Sequence, residues 1–202
     1  MIVYAYPAIS CAGRRIVLPR MTIEELNRTL CGVNRVVVHP KYRTIGLGAK
    51  LIRDTLGRAG TPCVEMVAVM AKYSPFAEKA GMVKVAVQEP SVDILRVADG
   101  LEGLGFDLQL LGSQRYVLGK LEGLASGQLD LLRGYLQRCG HPRFRKEFAV
   151  SRHVPYGNSV EFKKCISEAD VPKLARLVKI VGMLLQTKVY LFWSKTGETI
   201  IK

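Results

Sequence analysis

Long hydrophobic runs are missing from this chain of 202 residues. No stretch reaches the ~18 consecutive apolar residues of a membrane-spanning helix, although 49% of the residues are hydrophobic, enough for a packed core. The opening Met1-Ile2-Val3-Tyr4-Ala5-Tyr6-Pro7 lacks the basic start and extended apolar run of a secretory signal, so a cytoplasmic protein with no membrane partner is expected. Cysteine is sparse. Positions 11, 31, 63, 139 and 165 are an odd set without paired spacing, which speaks against a disulfide framework or a zinc site and fits a reducing compartment. Two common phosphate loops are absent: there is no G-x-x-x-x-G-K-[ST] and no G-x-G-x-x-G, so neither a P-loop ATPase nor a dinucleotide fingerprint is present. No internal repeat or low-complexity tract occurs.

Acidic residues are also short, 17 against 30 Lys and Arg, for a formal charge of +13. From Arg133 onward the count is 14 basic against 5 acidic. Such a balance favours polyanionic partners, although a generally soluble or heat-adapted surface explains it as well. Within it, residues 140–158 interleave His141, Arg143, Phe144, Arg145, Lys146, Phe148, Arg152, His153 and Tyr156. Arginines meet phosphates and rings stack on bases, so nucleic-acid binding through residues 133–188 is one expectation. A linker whose aromatics tuck into the body is the other.

What the chain does have is Val36-Val37-Val38-His39-Pro40-Lys41-Tyr42-Arg43-Thr44-Ile45-Gly46-Leu47-Gly48. A β-branched run ends at a proline, a basic glycine-punctuated turn follows, and a helix begins at once. The first amides of a helix have no internal partner and sit at the positive end of its dipole, and glycines let a ligand approach the backbone. Phosphate is the natural guest there. A plain strand-to-helix turn that needs two glycines is the competing reading.

Around this stretch the pattern predicts strands at 2–6, 15–18, 34–38, 63–70, 83–87, 105–111 and 189–193. Helices are expected from the Thr22-x-x-Glu25 capping box to Leu30, over 46–56, from Ser74 to Gly81, and over 91–104, 113–124, 128–138 and 167–185. Strand 34–38, helix 46–56 and the apolar run 63–70 form a βαβ unit, so its strands should be parallel neighbours. The narrow apolar seam of the last helix suits packing on another helix, in cis or in a homodimer.

Arg43-x-x-Gly46-x-Gly48 after a V-x-P strand end resembles the (Gln/Arg)-x-x-Gly-x-(Gly/Ala) loop of the GNAT superfamily of N-acetyltransferases. Glu78-Lys79-Ala80-Gly81-Met82 resembles that family's second signature, in the right order and at about the right gap. More narrowly, V-V-V-H-P-K-Y-R and P-F-A-E-K-A-G-M are similar to the GNAT-like portion of prokaryotic proteins joined to an ABC-type ATPase, which implies an ATPase partner outside this chain. The resemblance covers residues 1–90 and implies acetyl-CoA as cosubstrate. Arg43, Thr44, Ile45, Gly46, Leu47 and Gly48 would hold its diphosphate, and the backbone of Val36 and Val38 would pair with its pantetheine arm. The family opens with a strand, two helices and a second strand, which this chain is expected to lack. The tyrosine that protonates the leaving thiolate is replaced by Ala77; Phe76 has no proton to give, and Tyr73 and Ser74 are the hydroxyls that could substitute. Glu65, the only acid in a core strand, is the candidate base, because an apolar setting would raise its pKa; an arginine partner for it is the alternative. His39 reads as positional.

The expected protein is α+β: a GNAT-like mixed central sheet, incomplete at its N-terminus, over residues 1–112, and a basic, mainly helical extension over 113–202. The expected activity is acyl-CoA-dependent transfer to an unknown amine. The alternative is a non-catalytic GNAT-like module of an ATPase- or nucleic-acid-associated assembly.

Overall fold

The computed structural model describes residues 1–148 and 159–197. The protein is mixed α+β and divides into two compact units, Met1–Gln88 with Thr187–Lys202, and Glu89–Gln186. The boundary expected at residue 112 thus falls inside the second unit, which is inserted whole between two strands of the first. Among the described residues no helix is long and apolar enough to cross a membrane.

The first unit runs β1 (Ile2–Ala5), α1 (Arg14–Val17), α2 (Ile23–Thr29), β2 (Leu30–Val36), α3 (Leu47–Leu56), β3 (Cys63–Ala68), β4 (Val83–Gln88) and, after the insertion, β5 (Lys188–Ser194). The sheet order is β1-β2-β3-β5-β4, with β2 and β3 parallel and every other pair antiparallel. The parallel pair is the expected βαβ unit. β3 is covered along its whole α3 side and over Cys63 and Glu65 on the other, where Val67 is exposed. Val64, Met66 and Ala68 pack with Ile52 and Leu56 of α3. Cys63 packs on the other face with Val17 of α1, Leu26 of α2 and Phe192. Ile52 is fully buried, worth roughly 1.5–3 kcal/mol by transfer of its apolar surface. The capping box forms: the Thr22 hydroxyl accepts from the Glu25 amide, and the Glu25 carboxylate accepts from the Thr22 amide at 2.8 Å.

The second unit is helical: α4 (Val92–Gly103), α5 (Gln114–Glu122), α6 (Ser126–Arg138), α7 (Pro142–Phe148), α8 (Ser159–Ser167) and α9 (Val171–Leu184). One core unites Ile94, Leu101, Leu132, Phe162 and Val178. A Cβ on Gly100 would lie 2.6 Å from the Tyr135 ring, so glycine sets how closely α4 and α6 approach.

Several expectations are corrected. Residues 15–17 belong to helix α1, with Leu18 as its extended C-cap, because Arg14 and Val17 turn inward together. Residues 105–111 hold a 3-10 turn, Leu108–Leu110, capped by Asp107, not a strand. The helix expected from Ser74 is one 3-10 turn, Glu78–Ala80, because left-handed Gly81 (φ 101°) ends it. The strand before the glycine loop spans Leu30–Val36, upstream of 34–38. The last helix is capped by Asp170, whose side chain accepts from the Lys173 amide.

Burial pushes up the Cys11, Cys31, Cys63 and Cys139 thiols. The folded chain therefore holds these protons more tightly than the unfolded one. Their contribution to stability is complete below the ordinary thiol value of about 8.5 and is lost as pH rises through the folded values. Urea midpoints should be level from pH 7 to 8 and fall towards pH 10; a midpoint that rises over that interval contradicts this.

Candidate functional site

Two strands that begin as a pair part company. β2 and β3 are in register only at Leu30–Cys63, Cys31–Val64 and Gly32–Glu65. Beyond that point β2 follows β1 as far as Val36, and β3 follows β5 as far as Ala68. Val37 turns both polar groups to Met1: its carbonyl accepts from the Met1 ammonium at 2.9 Å, and its amide donates to the Met1 carbonyl at 2.8 Å. Alternation along an extended chain then turns the amides of Val36 and Val38 the other way, into the gap. The Val38 carbonyl is engaged, accepting from Arg43 Nε at 3.3 Å.

The turn that follows is built for an anion. Pro40 opens a 3-10 turn, Pro40–Tyr42, and His39 Nδ1 accepts from the Lys41 amide at 3.3 Å, a positional role. Thr44 is β-branched yet left-handed (φ 73°), and Gly46 is left-handed at φ 84°. A β-branched residue at positive φ is strained, and strain of this kind collects at ligand-binding loops. Gly46 caps α3 without any side-chain acceptor, and the first internal bond runs from the Lys50 amide to the Gly46 carbonyl at 3.0 Å. Among the described residues no protein group accepts from the amides of Leu47, Gly48 or Ala49. Gly46 is needed for its backbone angle. Gly48 is helical, and a Cβ there would meet only the Phe76 ring at an ordinary 3.8 Å. Packing within the protein therefore gives no reason for glycine at 48.

A cavity of about 780 Å³ lies over these amides, in the range of small-molecule sites. Residues 36–38, the turn at Arg43 and Thr44, the start of α3 at residues 46–49, and Ser74, Phe76 and Lys79 line it. Tyr42 also lines it. Among the described residues the lining carries the cations Arg43 and Lys79 and no carboxylate, histidine or cysteine. Arg53 Nη2 donates to the Lys79 carbonyl at 2.6 Å, tying the second signature to α3.

Of the residues singled out from the sequence, Val36, Val38, Arg43, Thr44, Gly46, Leu47, Gly48 and Ser74 come together at the cavity. Ile45 is 67% exposed and outside the lining. Tyr73, 74% exposed, is outside the lining, with Lys72 Nζ 5.9 Å from its ring centroid. Glu65 is also apart from it. It lies on the sheet face away from α3, 4% exposed, with both oxygens engaged. Arg14 Nη2 donates to Oε1 at 2.6 Å and Arg14 Nε to Oε2 at 3.0 Å; the Tyr190 hydroxyl donates to Oε2 at 2.9 Å. Arg14 also donates to the Ala8 and Ile9 carbonyls. Burial and the Glu65 charge push the Tyr190 hydroxyl far above its ordinary value. For Arg14, burial acts to lower the value, and the Glu65 hydrogen bond and charge outweigh it to raise it. Glu65 is thus the centre of a structural ion pair and stands apart from the cavity where a base would act. Lys79 and Phe76 were missed as site residues, although both lie in the second signature.

The basic aromatic segment divides. Phe144 on α7 is fully buried and Arg145 Cζ sits 5.8 Å from the Phe162 ring, so this part packs into its own unit. The Phe148 side chain, Arg152, His153 and Tyr156 lie outside the described residues. Comparison with protein-family models, curated proteins and solved structures finds no match to the chain.

Proposed function

We propose that the first unit binds an acyl-CoA through this cavity and acts as a GNAT-type N-acyltransferase. The observation that carries the proposal is the row of three unengaged amides at Leu47, Gly48 and Ala49 above a glycine that the protein's own packing does not require. Arg43 and Lys79 add charge for a diphosphate. The parting of β2 and β3 leaves backbone groups for an amide-bearing arm.

Transfer would proceed chiefly by proximity. The amine nitrogen attacks the thioester carbonyl, the C–S bond breaks, the thiolate is protonated, and the amine's proton leaves to water. Ser74 lines the cavity and would be the hydroxyl to serve the thiolate. A second reading, a coenzyme-binding module without catalysis, is favoured by one observation: among the described residues no carboxylate or histidine lines the cavity.

Thermal unfolding with acetyl-CoA tests the binding. Ligand at a hundred times its Kd should add about 2.7 kcal/mol and raise Tm. An unchanged Tm rejects both readings. A raised Tm with no thiol released in the presence of amines selects the second.

A further inference from the structure

We infer that the first unit also carries a surface for single-stranded nucleic acid at the rim of the cavity, formed by Lys41, Tyr42, Lys72 and Tyr73 together with Arg43 and Lys79. The first unit is basic throughout, whereas in the second unit the basic residues after 132 are offset by the acidic stretch 89–132. Met1–Gln88 with Thr187–Lys202 holds 16 Lys and Arg against 6 Asp and Glu; Glu89–Gln186 holds 14 against 11.

In the first unit the described acids are committed: Glu65 to Arg14, Glu24 to Arg28, Asp54 to Lys50, and Glu25 to the capping box. Glu78, the last, buries an oxygen that accepts no hydrogen bond. Eleven exposed cations of that unit, Lys41, Arg43, Lys72 and Lys79 among them, have no carboxylate at ion-pair distance among the described residues. In the second unit the ion pairs are Arg96–Asp93, Arg133–Asp130, Lys164–Glu168 and Arg176–Glu147, and several of its cations also stand without a carboxylate partner among the described residues.

A solvated basic face needs no aromatics. Here Tyr42 is 48% exposed beside Lys41 and Arg43, and Tyr73 is 74% exposed beside Lys72. Both adjoin the cavity, Tyr42 directly and Tyr73 through its neighbour Ser74. Exposed rings set among unpaired cations are what unstacked bases and their phosphates require, and a base-paired duplex offers no ring face to stack on.

Fluorescence anisotropy of the full chain with a labelled oligouridylate, the matching oligothymidylate and a duplex tests this. Four phosphate contacts predict a loss of about 50-fold in affinity between roughly 50 and 200 mM salt, from a slope near −0.7 per contact. Lys41→Gln with Lys72→Gln should cut that salt dependence to about sevenfold. Tyr73→Ala should weaken binding about fivefold or more at any salt. Lys146→Gln with Lys163→Gln removes the same charge from the second unit and should change neither quantity. Preference for RNA over DNA or the reverse identifies the natural strand and supports the surface either way. Tighter binding to duplex, equal affinity for polyglutamate, no binding at 50 mM salt, or equal weakening by the second-unit pair overturns it. The inference stands apart from the coenzyme reading, because the Lys41/Lys72 variant keeps Gly48 and Arg43 and its Tm response to acetyl-CoA is read separately.

Discussion

Replacing Glu65 with alanine should lower the unfolding free energy by about 3–5 kcal/mol, the cost of leaving a buried charge without its partner. Arg14 is the residue left stranded. Its guanidinium is largely shut off from solvent and holds two carbonyls of the loop before it, Ala8 and Ile9. The Tyr190 hydroxyl loses its acceptor as well. A variant that removes all three polar members, Arg14→Met with Glu65→Leu and Tyr190→Phe, should recover most of the loss, because the penalty lies in the unpaired groups more than in the absence of the pair. Urea unfolding of the two variants decides the matter. If the triple variant is as unstable as Glu65→Ala, the network contributes more than satisfied polarity. Glu65→Gln separates structure from chemistry. It should lower Tm while leaving the response to acetyl-CoA intact, and a lost response would restore Glu65 to the site.

Why Glu65 reads as a base in the sequence and as a structural anion in the fold is a matter of distance along the chain. Its partners are 51 and 125 positions away. No local pattern announces either. Arg14 stands in a loop-like stretch just before a run that reads as a short strand, and Tyr190 looks like one more apolar residue of a closing strand. The same limit hides the position of β5. Val189 to Phe192 is legible as a strand, but its place between β3 and β4 depends on a return after the whole second unit.

Local signals fared differently. The Thr22 and Glu25 capping box needs only residues three apart, and it forms. The βαβ unit is legible because a β-branched run, a glycine-punctuated turn and a helical stripe follow without interruption. Even there the stripe is read imperfectly: the buried side of α3 is Ala49, Ile52 and Leu56, and Leu47 and Leu51 are only partly covered. Phe144 decides between two readings the pattern leaves open. Flanked by arginines it could face a ligand or tuck into the body, and one fully buried ring makes α7 a packing element.

Gly48→Ala should move two measurements in opposite directions. In the absence of ligand the variant should be more stable by about 0.5–1 kcal/mol, because alanine gives up less backbone entropy than glycine at a helical position. The structure offers the new methyl room, with the Phe76 ring at van der Waals distance. With acetyl-CoA the same methyl stands where the diphosphate would approach the amides of Leu47, Gly48 and Ala49. Losing even one charge-assisted hydrogen bond of about 1.5–3 kcal/mol lowers affinity at least tenfold. Gly46→Ala is the control that behaves otherwise. At φ 84° a Cβ is strained, so that variant should lose about 1–2 kcal/mol of stability with or without ligand. Thermal unfolding of both variants with and without acetyl-CoA reads all four quantities. A plain strand-to-helix turn cannot produce the Gly48 result, since a glycine that serves only the fold has no reason to make the folded chain less stable than alanine would. If Gly48→Ala is destabilised without ligand, or keeps the full response to acetyl-CoA, the glycine belongs to the turn and the diphosphate cradle is refuted.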